Sequence, residues 1–387
     1  MHIIRQTIKQ GVNVMNNQFI PVNRPLLDGN EKKYLNECID TGWISSEGPF
    51  INQFEEKFAA KVGRKYGIAV CNGSVALDVA LLALKLPAGS EVIMPTFTII
   101  SCVSAIIRAG LIPVFIDSNP ETWNMDVTKI GEKITDKTKA IMVVHIYGLP
   151  TDMDPVFELA KKYNLKIIED AAEMHGQTYK GRPCGSLGDI STFSFYPNKH
   201  VTTGEGGMIV TDDAEIANYC RNLKNLCFKP ERRFLHDELG FNFRMTNIQA
   251  ALGLAQLERL DEFVEKKRAL GEFYTEHLKG IMSVQLPLQK TDYAKNIYWV
   301  FGMILNDDVP FDAAQAIQKL AEKNVGARPF FWCMHEQPVL QTMGLVNKDE
   351  KYPVAQCIAR RGFYIPSGLG ITEQEMEQVV KAVKEII

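Results

Sequence analysis

Two apolar rhythms alternate along the first two-thirds of this chain. In "SVALDVALLALKL" (74–86) apolar positions recur at helical spacing and predict a buried amphipathic helix. "EVIMP" (91–95) predicts a short buried strand, "SCVSAIIRAG" a helix closed by Gly110, and "IPVFID" a further strand. "KAIMVVHIYG" (139–148) is nearly continuous in apolar and β-branched residues, the pattern of a parallel strand covered on both faces. "DPVFELAKKYN" predicts a helix, and "LKIIED", "DISTFSF" and "GGMIVT" three more strands. Strands separated by helices of this length build βαβ units, so the expected class is α/β with an open, mostly parallel sheet. Ligands of such sheets sit beyond the carboxyl ends of the strands. Asp170, Ser194 and Lys199 all fall at or just after predicted strand ends.

Residues 247–279 predict one long helix or a helix pair, with Gly253 and Gly271 as weak interruptions. After them, "NIYWVFGMIL" reads as a strand, and "FDAAQAIQKLAEKN" and "TEQEMEQVVKAVKEI" as helices. The expected division is a loosely ordered extension over 1–18, a large α/β domain over 19–255 and a smaller α+β domain over 256–387. Met15 is a plausible alternative start.

Composition narrows the class only by exclusion. The 387 residues carry a net charge of −3, with 46% hydrophobic and 23% charged residues, an ordinary globular profile. No basic run with interleaved aromatics points to nucleic acid, and no apolar window is long enough to span a membrane. The eight cysteines show neither CxxC nor zinc-site spacing. They read as buried reduced thiols of a cytoplasmic protein without a metal site. The N-terminus lacks the continuous apolar core of a signal peptide.

The candidate chemistry lies in three stretches. "CNGSVAL" (71–77) is a small, hydroxyl-bearing turn opening into a helix. Free N–H groups at such a terminus bind phosphate, although Ser74 is equally an ordinary N-cap. "KIIEDAAEMHG" (166–176) delivers an acidic pair from an apolar strand. Asp170 there suits a helix cap, a metal or a cation; without a second carboxylate at metal spacing, a cofactor nitrogen is the better partner. Ala171 and Ala172 leave room for a flat group. "SFYPNKHVTTGEGG" (194–207) places Lys199 between an aromatic turn and a glycine-rich loop, without the order of a P-loop. A lysine held and desolvated there has a lowered pKa and becomes an amine nucleophile. Amine, carboxylate and phosphate cup together describe a pyridoxal 5′-phosphate site. No GxGxxG follows the first strand, which argues against a nicotinamide dehydrogenase.

In the order "CNGSVALDVALLAL", "PTFTIISCVSAI", "IIEDAAEMHG", "GDISTFSFYPNKHVTTGEGGMIVT" and "GFNFRMTNIQAALGLAQLE", the chain resembles the DegT/DnrJ/EryC1/StrS sugar-nucleotide aminotransferases from about residue 19 onward. The resemblance implies the type I fold of pyridoxal-phosphate aminotransferases and a homodimer with shared active sites. It implies that Lys199 links covalently to the cofactor and that Asp170 pairs with the pyridine nitrogen. It gives the phosphate to Ser194 and the Gly73–Ser74–Val75 turn, one ring face to Phe97 and the other to Ala172. Asn242, in "GFNFR", is implied to reach the phosphate of the neighbouring subunit. Glu173 stands near the ring hydroxyl, where many relatives carry glutamine. His175 is close by and reads as a core histidine ahead of a site residue.

The segments "TGWISSEGPF", "HIYGLPTDMD", "ARPFFWCMHEQPVL" and "YPVAQCIARRGFYIPSGLG" resemble the perosamine-forming branch of that family. This implies transfer of the amino group of L-glutamate, through pyridoxamine phosphate, to C4 of GDP-4-keto-6-deoxy-D-mannose, in surface polysaccharide (O-antigen) biosynthesis. Trp43, Phe330, Phe331 and Trp332 are candidates for base or hexose contacts, at least one of the three consecutive aromatics being core. Arg328 and His335 are candidates for the pyrophosphate or the donor's carboxylates. "FYPNKH" departs from the "FFGNKT" form of that branch, so Pro197 and His200 leave a dTDP- or UDP-linked 4-keto-6-deoxy sugar open. A dehydratase and a non-catalytic sensor on the same fold are the rival classes; a retained lysine argues against the dehydratase.

Overall fold

The computed structural model describes residues 19–229, 231–347 and 349–387. The expectations for residues 1–18, including the alternative start, lie outside the described residues. In chain order the helices are α1 (Glu31–Thr41), α2 (Pro49–Lys61), α3 (Gly73–Ala83), α4 (Ile100–Arg108), α5 (Met153–Tyr163), α6 (Ala214–Lys224), α7 (Asn247–Leu257), α8 (Leu260–Leu278), α9 (Ala313–Glu322), α10 (Pro338–Thr342), α11 (Pro353–Arg361) and α12 (Glu373–Ile386). The strands are β1 (Tyr66–Val70), β2 (Glu91–Pro95), β3 (Ile112–Ile116), β4 (Thr138–Val144), β5 (Lys166–Asp170), β6 (Thr178–Tyr179), β7 (Arg182–Pro183), β8 (Ile190–Ser194), β9 (Gly207–Thr211), β10 (Val284–Gln285), β11 (Phe301–Leu305), β12 (Arg328–Pro329) and β13 (Gly362–Ile365).

The central sheet has the order β1-β9-β8-β5-β4-β2-β3. Only β9 runs against the others, pairing antiparallel with both β1 and β8. Alternation along the strands explains why it is buried on both sides. Ile68, Val92, Met142 and Ile168 enter one core with α3, α4 and α6. Ala69, Ile93, Val143 and Ile167 enter another with α2, α5 and α7. The near-continuous apolar runs of the sequence are therefore strands between two helical layers, an α/β architecture.

The C-terminal part carries a four-stranded antiparallel sheet, β10-β11-β13-β12, covered by α8, α9 and α12. Residues 247–279 form a helix pair, broken at Glu258 and Arg259. The second helix crosses between cores: Leu260 and Val264 pack with the central sheet, Leu270, Tyr274 and Leu278 with the small one. Ile20 bridges to Val325, and Arg24 pairs with Glu375 at 2.6 Å, so the chain just after residue 18 lies on the C-terminal part.

The strand expected over "NIYWVFGMIL" starts only at Phe301. Asn296 Oδ1 accepts from Tyr298 N at 2.7 Å, and Tyr298 adopts φ +49°. That local turn competes with the ladder and swings Trp299 toward the carboxyl ends of the central strands.

Candidate active site

Five turns at the carboxyl ends of β1, β2, β4, β5 and β8 converge on one cavity of about 830 Å³. Its lining includes Gly73, Ser74, Val75, Asp170, Ala172, Glu173, Ser194 and Lys199. Residues scattered over more than a hundred positions thus meet because parallel strands all end on the same edge.

Asn72 caps α3: its Oδ1 accepts from Val75 N at 3.0 Å. Ser74 is therefore not the cap, and its hydroxyl meets Ser101 at 2.7 Å. Among the described residues, the N–H groups of Gly73 and Ser74 have no protein acceptor, and they face the cavity at the positive end of α3. Val75 is corrected as a donor, since Asn72 already occupies its N–H. Gly73 is required by contact: a Cβ there would stand 2.6 Å from Ser194 Cβ. The cradle between them exists only because that side chain is missing.

Asp170 ends β5, is 4% exposed, and has each oxygen assigned. Oδ1 accepts from Ala172 N at 3.0 Å, and Oδ2 accepts from the Cys102 thiol at 3.2 Å. Burial raises its pKa, opposed by those donors and by the Lys199 charge. Its neighbour Glu169 points to the other side of the strand and is structural. Burial works to raise its pKa, but His145 and the N–H groups of Gly185 and Leu187 outweigh it and hold the carboxylate ionised. His145, Glu169 and Cys184 lie together. His145 Nδ1 accepts from Thr151 N at 3.1 Å, so Nε2 carries the proton and donates to Glu169. His145 and Glu169 are thus joined by hydrogen bonds to each other and to the surrounding backbone.

Lys199 is held from three sides. Its backbone N–H donates to Tyr196 O at 2.9 Å. Its Nζ stands 3.8 Å from the ring centroid of Trp299, whose Nε1 donates to Asn198 O at 2.8 Å. Glu173 Oε1 lies 3.9 Å from the same Nζ. Burial lowers the lysine's pKa, against the pull of the Glu173 and Asp170 carboxylates. Trp299, Cys102, Tyr364 and Asn72 carried no chemical signal of their own in the sequence; only Asn72, as an Asn before a helical run, was open to being read as a cap.

Several expected residues lie elsewhere. Phe97 is fully buried behind the cavity wall, edge-on to Tyr147 and packed by Phe330 and Phe331. Phe330 is core, against Trp123 and Tyr147; of the three consecutive aromatics Phe331 lines the cavity, and Trp332 is half exposed. His335 is corrected as an anion ligand. Both ring nitrogens are engaged, by Thr96 at 2.7 Å and Gln356 at 3.1 Å, and burial lowers its pKa. His175 is a core histidine among Phe58, Phe193 and Phe195, driven by burial to a pKa of about 3. His200 is buried against Ile297 O, and neither it nor Pro197 lines the cavity. Arg328 is exposed and pairs in register with Tyr364, a cavity residue. Trp43 and Asn242 are exposed and outside this cavity.

The residues present fit pyridoxal phosphate. Thr192, 1% exposed, lines the cavity in register with Asp170, and its hydroxyl has no partner among the described residues. An orphaned donor beside a buried carboxylate, a glycine-made cradle with two free N–H groups, and a desolvated amine match the three ends of that cofactor.

Comparison with known proteins agrees. The GDP-perosamine synthase of Escherichia coli O157:H7 is 42% identical over 368 residues, covering 95% of this chain and 98% of that protein. The putative pyridoxal phosphate-dependent aminotransferase EpsN of Bacillus subtilis is 34% identical, covering 94% of each. The crystal structure of an aminotransferase from Psychrobacter cryohalolentis superimposes with a TM-score of 0.86 at 31% identity, covering 95% and 98% of the two chains. The profile of the DegT/DnrJ/EryC1/StrS aminotransferase family matches residues 25–384. This chain, with its amine at Lys199 and its cofactor-shaped cradle, therefore belongs to that family and is a pyridoxal-phosphate-dependent sugar aminotransferase.

Proposed function

We propose that the enzyme moves the amino group of L-glutamate to C4 of GDP-4-keto-6-deoxy-D-mannose, giving GDP-perosamine. The observation that carries the chemistry is the Lys199 amine, desolvated and seated between Trp299 and Glu173. The likeness to a GDP-perosamine synthase over nearly the full length supports the sugar.

Gly73, Ser74 and Ser194 hold the cofactor phosphate through N–H and hydroxyl donors at the α3 terminus. Asp170 keeps the ring nitrogen protonated, its own orientation set by Ala172 N–H and Cys102. When bound, the cofactor would supply an electron sink beside the donor's α-carbon and a carrier for the amino group between the two half-reactions. Lys199 Nζ accepts the α-proton of L-glutamate and later returns a proton to the sugar's C4. The apolar wall of Trp299 and Phe331 excludes water from that exchange. Asn242, exposed in this protomer, serves the phosphate of a second copy in a homodimer. Arg328, beside Tyr364, meets an anionic group of the substrate.

Borohydride reduction of the freshly isolated yellow protein should mark the peptide containing Lys199. Incubation with glutamate and GDP-4-keto-6-deoxymannose should give the mass of an amino sugar, and Lys199→Ala should give none. An unmarked peptide would remove the mechanism. Product with dTDP- or UDP-linked 4-keto-6-deoxy sugars alone would reassign the substrate, and an inert panel would favour a sensor.

A further inference from the structure

The buried carboxyl of Glu173 has a placement that cofactor contact alone does not require. One oxygen, Oε2, accepts from Tyr147 N–H at 2.6 Å. That N–H points inward because Tyr147 occupies the left-handed region at φ +56°, followed by Gly148 at φ +104°. A Cβ at Gly148 would stand 2.6 Å from Tyr298 N, so the turn is clamped against the segment that carries Trp299. Such backbone strain persists only where surrounding structure over-determines it. The other oxygen, Oε1, makes no hydrogen bond among the described residues, and Lys199 Nζ lies 3.9 Å from it. Both side chains are nearly buried, 7% and 10% exposed.

We propose that Glu173 is the proton acceptor that converts the Lys199 ammonium into the nucleophilic amine. One N–H bond of the ammonium breaks, the pair of electrons stays on Nζ, and an O–H bond forms on Oε1. The distance is one that a small side-chain shift or one water closes. The exchange leaves the net charge of the pair unchanged, so it needs no proton from solvent. It replaces two buried charges by two neutral groups, which a low-dielectric site favours.

The groups around Glu173 push the same way. Burial drives its pKa up to about 8, against the pull of Lys199 and the Tyr147 N–H, and the Asp170 carboxylate adds repulsion. The phenols of Tyr147 and Tyr364 and the thiol of Cys102 also face it, and burial holds all three protonated. A glutamine at this position accepts the same Tyr147 hydrogen bond but takes no proton.

The proposal rests on Lys199 being the reactive amine, so its test is made on the full-length chain stripped of cofactor. The rate of reductive methylation of Lys199, read peptide by peptide by mass spectrometry, is followed against pH. A pair sharing one proton gives two steps with a plateau between them, because amine and carboxyl titrate as one unit. Glu173→Gln should collapse the profile to a single step, while Glu173→Asp should keep two steps with a shifted plateau. A single step in the native chain, or two steps surviving in Glu173→Gln, would overturn the assignment. Should Glu173→Gln fail to fold, the native profile and that of Glu173→Asp decide. Borohydride labelling of the loaded enzyme tests the role of Lys199 separately, so the two readings fail independently.

Discussion

The ammonium of Lys267 donates to the carbonyl oxygen of Trp299 at 2.8 Å, and no carboxylate pairs with it among the described residues. Its second acceptor is Ser367 O. Lys267 sits on α8, where that helix passes from the large core to the small one, and it is 3% exposed. It therefore holds the backbone of the residue whose indole lies under Lys199.

Burial lowers the pKa of Lys267 to about 7. Its unfolded value is near 10.4, so between these values the unfolded chain binds more protons and stability rises with pH. Lys267→Met strands two carbonyls and should cost about 1–3 kcal/mol at neutral pH. The gap between native and variant should widen by an order of 2 kcal/mol from about pH 7 to about pH 9. Denaturant melts at the two pH values check this; a gap independent of pH would show that Lys267 does not titrate there.

Gly73→Ala places a methyl against Ser194 and should close the phosphate cradle. Overpacking of this kind costs about 1–3 kcal/mol, or roughly fivefold or more in cofactor affinity. The measurement is cofactor binding by absorbance, with unfolding of the cofactor-free chain as control. Equal loss of stability and affinity would place the clash in the core instead.

Cys102→Val keeps the volume but removes the thiol donor to Asp170 Oδ2. The carboxylate loses about 1 kcal/mol of support, so cofactor affinity should fall near fivefold, and Cys102→Ser should restore it. The same titration reads both variants; unchanged affinity in the valine variant would leave Asp170 to Ala172 alone.

Glu169 accepts from Gly185, Leu187 and Gly188 N–H, from the Ser191 hydroxyl and from His145. Its folded pKa is depressed, so its contribution is complete above the unfolded value of about 4.3 and is lost as pH falls through the folded one. Glu169→Ala should cost about 3–5 kcal/mol. Glu169→Gln should lose stability at neutral pH yet lose less on further acidification than the native chain, as acid titrations followed by circular dichroism would show.

Much of the central sheet was legible because each parallel strand is a self-contained signal. "EVIMP" became β2 over the predicted residues, and "LKIIED" became β5 short of its first one. The end of β5 put Asp170 at the cavity from periodicity alone. The C-terminal aromatics were less legible. Phe330, Phe331 and Trp332 are consecutive and chemically alike, yet one is core, one lines the cavity and one is half exposed. Nothing local separates them, because the difference depends on what β4 and β13 bring against each.

Local periodicity, small turn residues and the placing of Lys199 between a strand and a glycine loop were enough to specify an α/β sheet with a helix-opening turn, a carboxylate and an amine at its edge. These are short-range properties, written in residues a few positions apart. The partners of those groups came from long-range packing. Cys102 reaches Asp170, Trp299 lies under Lys199, and the strained turn at Tyr147 aims an N–H at Glu173. Desolvation, the largest influence on Asp170, Glu173 and Lys199, is a property of the folded surroundings and has no counterpart in any stretch of the chain.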